Sequence, residues 1–329
     1  MSPTPTVSIV IPTHNRRERL HRVLSALAEQ SYRGSVEVVV VSDGSTDGTD
    51  EYLTGPTPIP VTAVLQANAG PAAARNRGVH EASGELVLFL DDDVVPAAHC
   101  LAAHVSAHER LGDDAVVIGP MVDPPDHRMS MWVRWEQAML ARQYSAMERG
   151  DYGATARQFY TGNASLQRRH LLEAGGFDPT FRRAEDVELA YRLADRGLQF
   201  AFEPAAVGYH YAERSFDSWL ATARAYGRNA VVFARDAGHP YVLSWVIDEY
   251  PTRHGLVRLV TRACLLRPAA TTAVTTILLG VARLSEAARR RSVASQALSG
   301  IYGLAYYNAL AEELGGREQF WTTMQGRTA

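Results

Sequence analysis

The stretch VEVVVVSDGSTDGTD, residues 36–50, decides the fold class. Val36–Val41 (VEVVVV) is an almost wholly apolar run. Ser42-Asp43-Gly44-Ser45 ends it, and Asp47 opens a short helical segment. A strand with one face in water alternates polar and apolar residues; a strand covered on both faces does not. The same form recurs at Val7–Pro12 (VSIVIP), Val61–Leu65 and Glu85–Leu90 (ELVLFL). Helical spacing falls between these runs, at Arg16–Gln30, Asp47–Leu53 and Pro71–Ala82, with Pro71 suited to a first helical turn. This β-α-β-α order predicts an α/β fold: a Rossmann-like, mainly parallel sheet flanked by helices. In such sheets ligands bind beyond the carboxyl ends of the strands, so the loops that follow each strand are the ones to read.

Further along, helices are expected at Ala97–Leu111, Met131–Glu148, Arg168–Ala174 and Glu185–Arg196, with strands at Ala115–Pro120, Phe159–Leu166, Gln199–Glu203 and Val207–Tyr211. From Phe216 the pattern is helical: Phe216–Asp236, Tyr241–Glu249, Leu256–Leu266, Ala269–Arg290 and Val293–Leu314. Strands end near Tyr211–Ser215, which divides the chain into an α/β catalytic domain, 1–212, and an α-helical C-terminal region, 213–329.

The 329 residues are 46% hydrophobic and 21% charged with a net charge of −3, the balance of a globular protein with a large core. Nothing basic enough to track nucleic acid is present. All 33 basic residues are Arg, which removes any Schiff-base or phosphate-loop lysine chemistry. Cys100 and Cys264 stand far apart without metal-ligand spacing, so neither a disulfide framework nor a zinc site is expected. The N-terminus lacks signal-peptide organisation, and the apolar uncharged stretch between Arg267 and Arg283 is shorter than the roughly 20 residues of a spanning helix. A cytoplasmic location is expected.

The chemistry concentrates after the strands. Asp91-Asp92-Asp93 follows the apolar strand Glu85–Leu90 directly. Three adjacent carboxylates repel one another, and hard divalent cations such as Mn²⁺ or Mg²⁺ prefer carboxylate oxygens and commonly bridge protein to diphosphate. A solvated, capped turn is the bland alternative. Asp43 leaves the sheet where a carboxylate can accept from a nucleobase N–H, although Ser, Asp and Gly there also make an ordinary capped turn. In Asn68-Ala69-Gly70-Pro71-Ala72-Ala73-Ala74-Arg75-Asn76, small residues at a helix start admit a diphosphate close to the backbone. Arg75 can add a charge-assisted contact or hold the acidic cluster. Glu185-Asp186 opens a helix whose dipole favours the charged form, where it can serve as a base or as a cap. His210, at the end of a strand about two dozen residues on, is a candidate metal ligand or a plain core histidine.

VSIVIPTHNR, VSDGSTDGT, NAGPAAARNRG, FLDDD, and TGNASLQRRHLLEAGGFDPTF followed by AEDVELAYRLADRG occur in that order. Together they resemble the family 2 glycosyltransferases, inverting enzymes of the GT-A fold, over about Val7–Tyr211. The resemblance implies a nucleoside-diphosphate sugar donor whose base meets Asp43, with Pro12 and Thr13 lining the pocket and Asn68, Arg75 and Asp92 counted with the donor-binding residues. It implies Asp93 as main metal ligand, Asp91 nearer the ribose or the metal's waters, and His210 as a further ligand. Gly162 and Asn163 would lie along the donor sugar, Asp186 would be the general base, and Glu185 beside it would orient the acceptor or support the base. A UDP- or dTDP-sugar suits Asp43; the acceptor, whether glycan, lipid-linked or natural product, is open. Two other readings are a nucleotide-sugar-binding protein without catalysis and a sugar nucleotidyltransferase. The presence of both the Asp91–Asp93 turn and the acidic pair at 185–186 argues against the first, and the lack of an N-terminal Gly-rich loop with Arg and Lys argues against the second. The apolar, Arg-flanked helices of Leu256–Leu284 allow either a bundle or homodimer face or a peripheral membrane contact.

Overall fold

The computed structural model describes residues 7–326 except residue 182. Contacts divide the chain into two compact units, 7–128 with 137–212, and 129–136 with 213–326.

The first unit carries strands β1 (Val7–Thr13), β2 (Val36–Asp43), β3 (Thr62–Gln66), β4 (Leu86–Leu90), β5 (Val94–Pro96), β6 (Ala115–Ile118), β7 (Met121–Val122), β8 (Asn163–Gln167), β9 (Gln199–Phe202) and β10 (Gly208–His210). Its helices are α1 (Arg17–Ala28), α2 (Thr49–Thr54), α3 (Pro71–Glu81), α4 (Cys100–Leu111), most of α5 (Met131–Glu148), α6 (Arg168–Glu173) and α7 (Glu185–Asp195). Seven strands form one sheet in the order β3-β2-β1-β4-β8-β6-β9. Only β8 runs against the others. The absence of alternation in β1 and β2 now has its cause. Ile9, Ile11, Val38 and Val40 pack under α1 with Leu20, Val23, Leu24 and Leu27, while Val39, Val41 and Val64 pack under α3 with Ala74. On the α3 side Gly78 is required, because a Cβ there would sit 2.4 Å from Val10 Cγ1.

The parallel register lines up the carboxyl ends of the strands: Thr13 lies beside Ser42, and Asp43 beside Gln66. Antiparallel β8 begins where β4 ends, with Asn163 opposite Leu90, so the Asp91–Asp93 turn and Gly162 are neighbours. A three-stranded sheet, β5-β10-β7, stands apart from the first. It pairs His210 with Val94 and thereby brings the histidine beside the acidic turn. The long strand expected over Phe159–Leu166 is shorter and later, since a capping box on Thr155 and Gln158 turns the chain first.

The second unit contains α8 (Phe216–Arg235), α9 (Tyr241–Glu249), α10 (Gly255–Cys264), α11 (Pro268–Ala287), α12 (Arg291–Glu313) and α13 (Arg317–Met324), the last unforeseen. Its core gathers Trp219, Leu220, Val260, Leu278, Ala282, Leu298, Ile301 and Leu304. Helices α8 and α12 touch backbone to backbone at Gly227, where a Cβ would meet Tyr306 O at 2.1 Å. Among the described residues no helix is long and apolar enough to cross a membrane.

Candidate active site

The acidic turn is built so that its three carboxylates point three ways. Asp92 turns inward: its Oδ2 accepts from Thr13 Oγ1 at 2.7 Å and its Oδ1 from Arg16 Nη1 at 2.8 Å. Burial pushes its carboxyl up to about 6; the Arg16 charge opposes that shift and the Asp93 charge adds to it. Asp93 Oδ2 accepts from the same Arg16 Nη1 at 2.9 Å and lies 3.5 Å from Arg19 Nη1, while its Oδ1 faces His210 Nε2 at 3.6 Å. Asp91 points along the sheet edge to Arg75, whose Nη2 donates to Oδ1 at 2.8 Å.

Arg75 is buried, and its guanidinium does double duty. Its other terminal nitrogen donates to Glu185 Oε1 at 2.7 Å. One cation therefore ties the acidic turn to the start of α7, sixteen and 110 residues away in sequence. Glu185 is buried, as an acid must be paired to be, and Asp186 follows it half-buried. Burial pushes Asp186 up to about 7, the Glu185 charge adds to this, and Arg75 opposes it. A carboxylate tuned near neutrality suits proton acceptance from a hydroxyl. The residue before this pair, Ala184, holds φ of 60°, a left-handed conformation that a side chain adopts only when its surroundings impose it. Asn76 secures the loop leading there: its Nδ2 donates to Phe177 O and its Oδ1 accepts from Phe177 N, each at 2.7 Å.

Asp43 is more occupied than its sequence position suggests. Its carboxylate accepts from Gln66 Nε2 at 2.7 Å, Ala69 N at 2.8 Å and Gly70 N at 2.8 Å. Three of about four lone-pair positions thus hold the turn that leads into α3. Asn68 is exposed and donates to Asp43 O at 3.0 Å. Asp47, which opens the short helical segment, caps it: Thr49 N donates to Oδ1 and Arg17 N to Oδ2, joining the starts of α2 and α1. Pro12 is half-buried at the end of β1, and Thr13 donates its hydroxyl to Asp92.

Gly162 lies against the acidic turn; a Cβ there would come 2.5 Å from Met121 Sδ and 3.1 Å from Asp91 Oδ2. Asn163 faces the other way, wholly buried, where its Nδ2 donates to Pro120 O and Ala206 O. Its Oδ1 must then accept from His104 Nε2–H at 2.9 Å. That leaves His104 Nδ1 to accept from Ser165 Oγ, whose oxygen in turn accepts from His108 Nε2. Burial holds both histidines down at about 4, in the neutral form that this chain of bonds requires. The sequence placed Asn163 along a donor sugar; its side chain instead braces the strands behind the turn.

Among the described residues no three His, Cys, Asp or Glu side chains converge to hold a metal. Asp91, proposed with Asp93 and His210, is engaged by Arg75 instead. The pair Asp93 and His210 has the donor types a divalent cation takes when substrate phosphates complete its shell. Gln137 Nε2 lies 2.8 Å from His210 Nδ1; with that amide flipped, its oxygen would accept from Nδ1–H and leave Nε2 a lone pair for a metal. The residue that sequence reading missed is Arg16, which grips two of the three aspartates; the only signal was its place in VSIVIPTHNR, after β1.

The model of the family "Glycosyl transferase family 2" matches residues 8–184. The chain is 29% identical over 278 residues to the pre-mycofactocin glycosyltransferase of Mycobacterium tuberculosis (strain ATCC 25618 / H37Rv), covering 78% of this chain and 54% of that protein. It is 31% identical over 227 residues to the validoxylamine A glucosyltransferase of Streptomyces hygroscopicus subsp. jinggangensis, covering 60% of this chain and 53% of that one. The chain thus spans about half the length of these curated relatives. Among solved structures it superposes on the Pyrobaculum calidifontis mannosyltransferase PcManGT, in complex with GDP-Man and Mn²⁺, with a TM-score of 0.60 and 22% identity, over 93% of this chain and 88% of the other. It also superposes on S. aureus TarS 1-349 in complex with UDP, with a TM-score of 0.52 and 17% identity, over 97% and 91%. The architecture they share is GT-A, and on its sequence the chain belongs to glycosyl transferase family 2.

Proposed function

We propose that the protein is a metal-dependent inverting glycosyltransferase. It moves a sugar from a nucleoside-diphosphate sugar to an acceptor hydroxyl, with catalysis assigned to residues 1–212. The observation that carries this reading is the Arg75 guanidinium held between Asp91 and Glu185, which joins a donor-side acidic turn to a base-side carboxylate pair. Asp93 and His210 would hold Mn²⁺ or Mg²⁺, which when bound offsets the charge developing on the leaving diphosphate. Asp186 accepts the acceptor's proton as that oxygen bonds to the anomeric carbon from the face opposite the diphosphate. The carbon–oxygen bond to phosphate breaks, its electron pair leaves on the nucleoside diphosphate, and the anomeric configuration inverts. Arg75 pairs with Glu185, so the first turn of α7 stays aimed while Asp186 changes protonation.

The bound ligands of the two solved structures, GDP-Man and UDP, support a nucleotide-sugar donor without selecting its base. A thermal-shift panel of GDP-mannose, UDP-glucose, dTDP-glucose and their diphosphates, with and without Mn²⁺, tests this reading. A metal-enhanced rise in Tm for one nucleotide sugar is expected; no response to any would overturn it.

A further inference from the structure

Helix α11 presents to solvent a face that water does not explain. Ile277, Val281 and Leu284 are 63%, 37% and 74% exposed, in helical register with exposed Ala269 and Ala273. From Pro268 to Ala282 the helix carries no charged residue at all. Thr276 turns its hydroxyl back to Thr272 O, so even that polar group is satisfied within the helix. A helix of a water-soluble face puts charges opposite its buried stripe, and here the stripe opposite is apolar for about 22 Å at 1.5 Å per residue. The adjacent helix α10 exposes Leu259 at 64% between exposed Arg258 and Arg262.

Arginines flank this surface at both ends. Arg258, Arg262 and Arg267 precede it, and Arg283, Arg289, Arg290 and Arg291 follow it, all exposed. The one acid between Arg258 and Arg291 is Glu286, which pairs with Arg134. The segment therefore carries a net charge of +6 in a chain whose total is −3. We propose that α10, α11 and the α11–α12 turn form a docking surface for an anionic lipid bilayer, lying in its interface rather than crossing it. The apolar side chains enter the acyl boundary, while the long arginine stems reach back to the headgroup phosphates. Charge complementarity selects this occupant. A second copy placed face to face would oppose +6 with +6, and a nucleic acid has no use for the apolar stripe.

The experiment is flotation of the full chain with vesicles of phosphatidylcholine alone or mixed in equal parts with phosphatidylglycerol. The wild type should float with the anionic vesicles only, and less so as salt rises. Arg289→Gln/Arg290→Gln/Arg291→Gln should weaken partitioning about a hundredfold, at roughly fivefold per arginine near an anionic surface. Leu284→Asp, at an exposed position that leaves the core intact, should also release the protein. Failure to bind anionic vesicles, or binding that neither variant weakens, overturns the proposal. So does a soluble dimer that Leu284→Asp dissociates without any lipid binding. The assay reads no sugar transfer, so it stands apart from the catalytic reading.

Discussion

Two sets of arginines, one in each unit, live under opposite conditions. In the α/β unit, Arg16 and Arg75 are each shared by two carboxylates at 2.7–2.9 Å. In the helical unit, Arg283, Arg289, Arg290 and Arg291 stand exposed, and none makes an ion pair with a carboxylate among the described residues. The same side chain thus fixes geometry in one place and supplies only charge in the other. At Arg75 burial makes the difference: a desolvated guanidinium must find carboxylate partners, whereas a hydrated one need not. A substitution should cost structure and turnover at Arg16 or Arg75, and surface attachment alone at Arg283 or Arg289–Arg291.

The largest effect is expected at the base. Asp186→Asn should lower turnover by about 10³-fold while donor affinity, measured by calorimetry, stays unchanged. Full activity in that variant would remove Asp186 from the mechanism. Next comes Arg75→Met, which leaves Asp91 and buried Glu185 without their cation and should destabilise the fold by about 3–5 kcal/mol in denaturant titrations. Adding Glu185→Gln should recover part of that loss; if it does not, the pairing is not what holds the turn. Asp93→Ala should abolish the Mn²⁺-dependent part of donor binding and leave binding in chelator untouched.

pH sharpens the contrast further. With Asp186 pushed up to about 7, turnover should rise with pH through neutrality and then level off. The same shift acts on stability with the opposite sign. The folded state holds that proton where the unfolded chain has lost it, so stability falls as pH rises from about 4 to 7. Asp186→Asn should accordingly raise Tm at neutral pH. His104 and His108, held at about 4 against the usual 6.5, contribute stability that is present above about 6.5 and is lost as pH falls toward 4. A Tm-against-pH series in wild type and His104→Asn tests that window. The smallest effect belongs to the exposed face: Leu284→Asp should change stability by no more than about 0.5 kcal/mol.

The strands of the α/β unit and the helices α5 and α8–α12 were legible because their apolar patterns are long and their period is unambiguous. In the small sheet β10 was legible, within the strand expected at Val207–Tyr211, whereas β5 and β7 were not. Its strands are two or three residues long, and their pairing joins parts of the chain 87 to 116 residues apart. The site divided in the same way. Asp91–Asp93, Glu185-Asp186 and His210 were readable as chemistry, yet which aspartate faces which cation was not. Asn163 looked like a contact residue from its motif, but burial gives its amide to Pro120, Ala206 and His104.

By itself the sequence determined the α/β order, the family and the presence of acids after the strands, because hydrophobic period and residue type are local properties. The tertiary structure alone decided that β8 runs backwards to set Gly162 against Asp91, that Arg16 takes Asp92 and Asp93, and that Arg75 spans to Glu185. The reason is physical: a buried charge must find its partner, and the partner is whichever group the packing brings within about 3 Å, regardless of its distance along the chain.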